Sequence, residues 1–162
     1  MQDLDTRMTE VLPPDCDRRL RQFHEYWLSI APGGGRLPGR QHFDPLHIPA
    51  LLPWVWLLDI HRNPLRFRYR VTGTEHRRVS GRDATGQWMH ELHPNFESFA
   101  SYPEFIALAD RAVPSYRRGQ PVFPISDDVR GIERLMLPLA RDGQGVDMLL
   151  AITIYHRRSD RP

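Results

Sequence analysis

Arg134 is the residue from which a chemistry can be argued most directly. It lies in the run Ile132–Leu139, where Leu135, Leu137 and Leu139 share one strand face and Arg134 shares the other with Met136. An arginine turned into a protein interior needs a carboxylate partner or an anionic ligand, because an unpaired buried charge is untenable. Other candidates carry less. His90 and His93 are three residues apart and could share a ligand face on a helix, but Pro94 favours a loop and no third ligand stands near them. His24, His42 and His47 are isolated, as packing or surface histidines are. Ser98, Ser101 and Ser126 lack the strand–turn–helix context of an activated nucleophile. Gly33-Gly34-Gly35 is not followed by Lys and Ser or Thr, so it is no phosphate loop. Asp127-Asp128 reads as a turn at a strand end, and no metal site is expected. For acid–base chemistry the strands offer Asp59, Arg134 and Asp147 as candidates, which is thin support for an enzyme.

Composition narrows the class. A chain of 162 residues, 40% hydrophobic and 26% charged, can bury a core of its own without staples. The lone Cys16 excludes an internal disulfide and a multi-cysteine zinc site. The longest uncharged apolar run, Ile48–Leu58, is too short to span a bilayer and contains Pro49 and Pro53. Met1–Pro13 holds acids and no apolar stretch of the signal-peptide kind, so a cytoplasmic protein without membrane contact is expected. All basic residues are arginine. The net charge of +2 is nevertheless near balance, which argues against a nucleic-acid binder despite the alternating Arg66, Arg68 and Arg70 and the cluster Arg77, Arg78 and Arg82.

These residues have to be positioned by a small set of elements. Residues 1–14 read as a flexible arm. Residues 15–38 read as a helix, capped by Asp15 or Asp17 and running to about Ser29, followed by a glycine-rich hinge. Leu20, Phe23, Trp27 and Ile30 recur at spacings of three and four and form one apolar stripe, which either covers a sheet or forms a dimer. Asp44-Pro45 starts a short helical turn. Trp54–Ile60 and Arg66–Gly73 read as a hairpin, with Phe67, Tyr69 and Val71 on one face and the three arginines on the other. Short helical turns and a longer helix centred on Tyr102–Tyr116 follow. Strands are then expected over Pro121–Val129, Ile132–Leu139 and Val146–His156. The last is apolar at nearly every position and so should be covered on both faces. Residues 158–162 read as a tail.

Several blocks in this order resemble a PAS domain, and more narrowly a PAS-like family of alphaproteobacteria formerly catalogued as a domain of unknown function. They are Arg40, Phe43-Asp44-Pro45, Ile48-Pro49 and Leu51-Leu52-Pro53; then Phe67–Thr74 and Gly81-Arg82-Asp83-Ala84-Thr85-Gly86; then Arg134–Gly143 with Val146-Asp147. These blocks cover most of residues 39–155, and the PAS-like domain is expected over residues 39–157. The resemblance implies an α+β fold: a five-stranded antiparallel sheet in spatial order 2-1-5-4-3, with the helical midsection on its concave face and the N-terminal helix outside. It also implies a sensory or interaction module without intrinsic catalysis. Flavin–cysteine photochemistry is excluded, because the midsection has no cysteine. Haem is disfavoured, because Tyr102–Arg118 has no histidine. The resemblance names no cofactor.

The concave face should then hold a cavity lined by Trp56, Phe67, Tyr69, Trp88 and Met89. Phe105, Leu108, Met136 and Met148 complete it, and Arg134 is the polar anchor. Such a lining suits a small apolar or anionic ligand, or simply fills a core. No effector segment is expected after the last strand, so output should pass through a protein partner or a homodimer, using Leu20, Phe23, Trp27 and Ile30. The rival readings are a cavity enzyme of the isomerase or dehydratase type and an arginine-mediated nucleic-acid binder.

Overall fold

A computed structural model describes residues 4–160. Its elements are α1 (Thr6–Thr9), α2 (Arg18–Ser29), three 3-10 turns between Arg40 and Trp54, β1 (Val55–His61), β2 (Arg66–Thr72), α3 (Thr74–Ser80), α4 (Met89–Leu92), α5 (Tyr102–Arg111), β3 (Ser115–Gly119), β4 (Val129–Leu139) and β5 (Met148–Arg157). The strands form one sheet in the order β2-β1-β5-β4-β3, and every pairing is antiparallel. The helical stretch between β2 and β3 is the one long excursion, as the sequence implies.

The register sorts the side chains into two faces. Trp56 and Met136 both pair with Ala151, and Arg134 pairs with Thr153, so these residues share the inner face with Tyr155. Leu57, Leu135, Leu137, Leu150 and Ile152 point to the other side, where α2 lies. Two expectations change here. Met148 pairs with Leu139 and Asp59 and so belongs to the outer face, because a strand alternates strictly and Met148 differs in parity from Ala151. Val71 does not follow Phe67 and Tyr69 inward. Leu58 pairs with Tyr69 and Leu57 with Val71, which leaves Arg70 as the extra residue of a bulge. The bulge turns Val71 out to 45% exposure and brings Thr72 in.

The third strand also differs from expectation. It occupies Ser115–Gly119 rather than Pro121–Val129, and α5 stops at Arg111 rather than near Tyr116. Pro114 cannot continue a helix, and Ala112 takes a left-handed conformation (φ 54°) that closes it. Pro121 and Pro124 cannot donate to a ladder, so the stretch expected as a strand is a loop between β3 and β4.

The N-terminal stripe covers the sheet. Asp17 caps α2 by accepting from the Arg19 N–H. Leu20, Phe23 and Trp27 have no exposed surface, and the Trp27 indole donates to the Pro138 carbonyl at 3.0 Å. Ile30 is partly buried at the helix end. Burying three such side chains contributes about 2 kcal/mol each, so releasing them to build a dimer face would cost several times the thermal energy. Of the two roles open to this stripe, the structure has the sheet-covering one. The segment expected as a loose arm is likewise docked over its described part: α1 forms at Thr6–Thr9, Leu4, Met8, Val11 and Leu12 pack on the core, and His24 Nε2 lies 2.6 Å from the Met8 carbonyl. Residues 1–3 of that arm and 161–162 of the tail lie outside the described residues. The triple glycine makes a turn with all three φ values positive, and Leu37 beyond it is pinned to the Gly143 carbonyl at 2.9 Å.

Glu133 ties α2 to the sheet. Its carboxylate accepts from the Asp17 backbone N–H at 2.9 Å and the Tyr116 hydroxyl at 3.0 Å, and lies 3.2 Å from His156 Nε2. Burial alone would raise its pKa, but these partners and Arg118 outweigh burial and hold it below the usual carboxylate value. A lowered folded-state pKa adds stability that is present above the unfolded value of 4.5 and lost as the pH falls through the folded one. Glu133→Gln should therefore cost about 1–3 kcal/mol at neutral pH and flatten the loss of stability below pH 4.5, measured by denaturant unfolding across pH. An acid limb as steep as in the native protein would remove Glu133 from this role.

Candidate functional site

The inner face of the sheet, α3 and the β3–β4 loop enclose a cavity of about 50 Å³. Trp56 comes from β1, Tyr69 from β2, Ile132 and Arg134 from β4, and Thr153 and Tyr155 from β5. His76 on α3 and residues 121–123 with Ile125 complete the wall. The Trp56 indole donates to Thr153 Oγ1 at 2.9 Å, and Trp56 stacks on Phe105 with centroids 6.4 Å apart. His76 Nδ1 and the Tyr155 hydroxyl lie 2.8 Å apart. Burial pushes the His76 pKa down to about 4, so the ring is neutral at pH 7. Burial also raises the Tyr69 and Tyr155 hydroxyls, which stay protonated.

Arg134 turns into this cavity and is 3% exposed. One of its amino groups, Nη2, reaches Glu104 Oε2 and Ser115 Oγ, both at 3.1 Å. Its carbon centre stands 5.8 Å above the Phe105 ring. Nε and Nη1 are buried and have no partner. The carboxylate that the inward arginine requires is thus present, supplied by α5, but it serves two cations. Arg117 pairs with Arg134 across the β3–β4 ladder and also donates to Glu104 Oε2, at 2.9 Å from Nη2. Two guanidinium groups and one carboxylate meet here, leaving one positive charge uncompensated and two donors free. Like charges placed directly opposite on a ladder repel. Burial lowers the Arg134 pKa and Glu104 raises it, yet a guanidinium starts so high that it stays charged.

Of the residues expected to line the cavity, Trp56, Tyr69 and Arg134 do. Phe67, Phe105, Leu108, Met89 and Met136 are buried beside or beneath it and serve as core. Met148 is on the opposite face. Trp88 is half-buried on the outside of β2: it bridges to Arg68, which lies over its ring at 5.6 Å, and it meets His61 edge-on at 4.8 Å. His76, Thr153 and Tyr155 also line the cavity and are not among the residues expected there. The last two were legible, since they share strand parity with Ala151 and are the polar members of that face. His76 was not, because nothing in the sequence aims α3 at β5.

The remaining candidates are engaged elsewhere. His90 Nε2 meets Arg66 Nη1 at 2.9 Å, while His93 packs on Phe123, with ring centroids 4.8 Å apart. No group of three potential metal ligands occurs among the described residues. Asp59 pairs with Arg70 on the solvent side, and Asp147 accepts from the Arg141 N–H at the β4–β5 turn, so neither meets Arg134. Asp83 is held by Thr85 and then Thr72, which lower its pKa to about 2, and so acts as a local cap. Gly73 admits no side chain, because a Cβ there would collide with the Leu52 and Pro53 carbonyls.

A small antiparallel sheet in the order 2-1-5-4-3 carries helices and a largely apolar cavity on one face, with Arg134 among its few polar walls. The family model PAS_5, a PAS domain, matches residues 17–152, and the chain belongs to the PAS domain family. PAS domains are in general sensory or interaction modules. No curated protein matches the chain.

Substitutions can separate the two sides of the buried pair. Glu104→Gln leaves two cations without a carboxylate and should cost about 3 kcal/mol or more. Arg134→Met removes the surplus charge, keeps Arg117–Glu104 and fills the space with apolar atoms, so it should change stability by less than about 1 kcal/mol in either direction. Chemical denaturation of both variants checks this. A greater loss for Arg134→Met would mean that Arg134 serves the fold itself.

Proposed function

We propose that the protein is a non-catalytic sensory module whose inner cavity takes a small anionic ligand through Arg134. The single observation that carries this reading is the pair of unpartnered buried donors on that side chain, in a group of charges that is one anion short. Buried polar groups in folded proteins are almost always satisfied, and an unfilled exception points to a missing partner. The surplus charge makes that partner an anion, and the planar fork of the guanidinium suits a carboxylate.

Occupancy has a route to the surface. Glu104 is shared by Arg134 and Arg117, so an anion on Arg134 changes the balance between α5 and β3, and Arg117 also holds the Ala100 carbonyl at the start of α5. The output would pass to a protein partner or a second copy of the chain. Among the described residues no helix is long and apolar enough to cross a membrane.

The catalytic alternative finds little support, since Asp59 and Asp147 lie away from Arg134. The nucleic-acid alternative is weakened by the local engagement of its arginines. Arg66 meets His90, Arg68 donates to the Gly86 carbonyl, and Arg70 pairs with Asp59.

The test is thermal unfolding of the full chain in rising acetate at constant ionic strength. A ligand at a hundred times its dissociation constant stabilises by about 2.7 kcal/mol. The native protein should therefore show a saturable rise in Tm that Arg134→Met lacks. Equal shifts in both proteins would refute the site.

A further inference from the structure

Phe123 sits beside the Arg134 cavity in the way a bound ring would. It stacks on Phe96 with centroids 6.2 Å apart and an angle of 23°, meets Phe99 edge-on at 5.1 Å and packs on His93 at 4.8 Å. A second cavity of about 30 Å³ lies on its other side, and Tyr69, His76, Phe123 and Ile125 are walls of both. The Phe123 side chain is therefore part of the partition between two small voids. A buried water needs about 10–15 Å³ of such space, so the void at Arg134 has room for a few water-sized atoms, enough for a small carboxylate but not for an aromatic ring while Phe123 is in place.

The segment that carries Phe123 is poorly tied. Pro121 and Pro124 have no N–H, and among the described residues none of residues 120–125 donates a backbone hydrogen bond. The next anchor is Ser126, whose N–H donates to the Val79 carbonyl at 2.8 Å. Phe123 is itself only half-buried. An aromatic side chain in an aromatic box, carried by a strap with few bonds, next to a charged group that lacks an anion, is an arrangement that a competing ring can displace.

We propose that Phe123 is a built-in plug, and that the ligand is a small aromatic carboxylate whose carboxylate meets Arg134 while its ring replaces that of Phe123. This rests on the Arg134 anion site proposed above and adds the ring to it. Displacement would lift the strap between Gly119 and Ser126. Just beyond it, Asp128 pairs with Arg157 at the end of β5, so the change would reach the surface at a strand end. A protein whose competent state is only partly populated binds with an affinity reduced by that fraction, so removing the plug should tighten binding.

Calorimetry on the full chain, with phenylacetate, acetate and benzyl alcohol as probes, tests this. Phenylacetate should bind the native protein more tightly than acetate, and Phe123→Ala should bind phenylacetate about tenfold tighter while its affinity for acetate stays the same. Phe123→Leu, which keeps the strap apolar, should fall between the two and controls for folding. Benzyl alcohol should bind neither protein comparably. If acetate binds through Arg134 but Phe123→Ala gains nothing for phenylacetate, the plug is refuted and the anion site stands. If neither carboxylate binds the native protein or Phe123→Ala, both fail.

Discussion

A guanidinium on the inner face of the sheet, sharing one carboxylate with a second guanidinium, is the constraint around which the cavity is organised. Arg134 cannot be turned in without Glu104, and Glu104 stands there because α5 lies across the sheet with Phe105, Leu108 and Ala109 buried against it. Arg117 reaches the same carboxylate only because β3 begins at Ser115, soon after Ala112 closes the helix. Helix end, edge strand and buried charge are thus fixed together. Replacing such buried charges with well-packed apolar side chains is often neutral or stabilising, so the cluster is not explained by stability alone.

The outer face solves a different problem. β5 is apolar on both sides and must be shielded twice, and α2 supplies the second cover with Leu20, Phe23 and Trp27. That helix is held by polar contacts at both ends: the Asp17 N–H on Glu133 and the Trp27 indole on the Pro138 carbonyl. The Tyr26 hydroxyl also accepts from the Asp44 N–H at 2.8 Å, which joins α2 to the turns that lead into β1. Burial and these contacts together make the N-terminal helix part of the fold. A partner that reads the state of the cavity would accordingly meet an exposed surface, such as the strap or the edge of β3, rather than the α2 stripe.

Strand alternation and turn chemistry made most of the architecture legible. The α2 stripe, the Asp44-Pro45 start, the hairpin and the final two strands follow from local pattern, and the family blocks fix the strand order. Local pattern fails where a residue's environment is set from a distance. Val71 reads as inward until the bulge at Arg70, whose cause lies in the pairing with β1, reverses it. Pro121–Val129 reads as a strand, yet the prolines at 121 and 124 cannot donate to a ladder and the stretch is a strap. Trp88 is aromatic and adjacent to the buried Met89, yet it faces Arg68 and His61 on the solvent side. Arg134 reads as the deciding residue, and its charge calls for a carboxylate partner or an anionic ligand. That Glu104 would be the carboxylate, and that Arg117 would dilute it, depends on how α5 and β3 meet, which no short-range signal encodes.

Nε and Nη1 of the buried Arg134 guanidinium have no partner, and the proposed anion would meet them. Nitrogen-15 NMR of the arginine side chains observes that group directly, with its Nε–H resonance assigned by its disappearance in Arg134→Met. A carboxylate titrated in at constant ionic strength should shift this resonance saturably and leave the exposed arginines unaffected. An Nε–H signal that stays in place, or moves only as the surface arginines do, would contradict the proposed anion site.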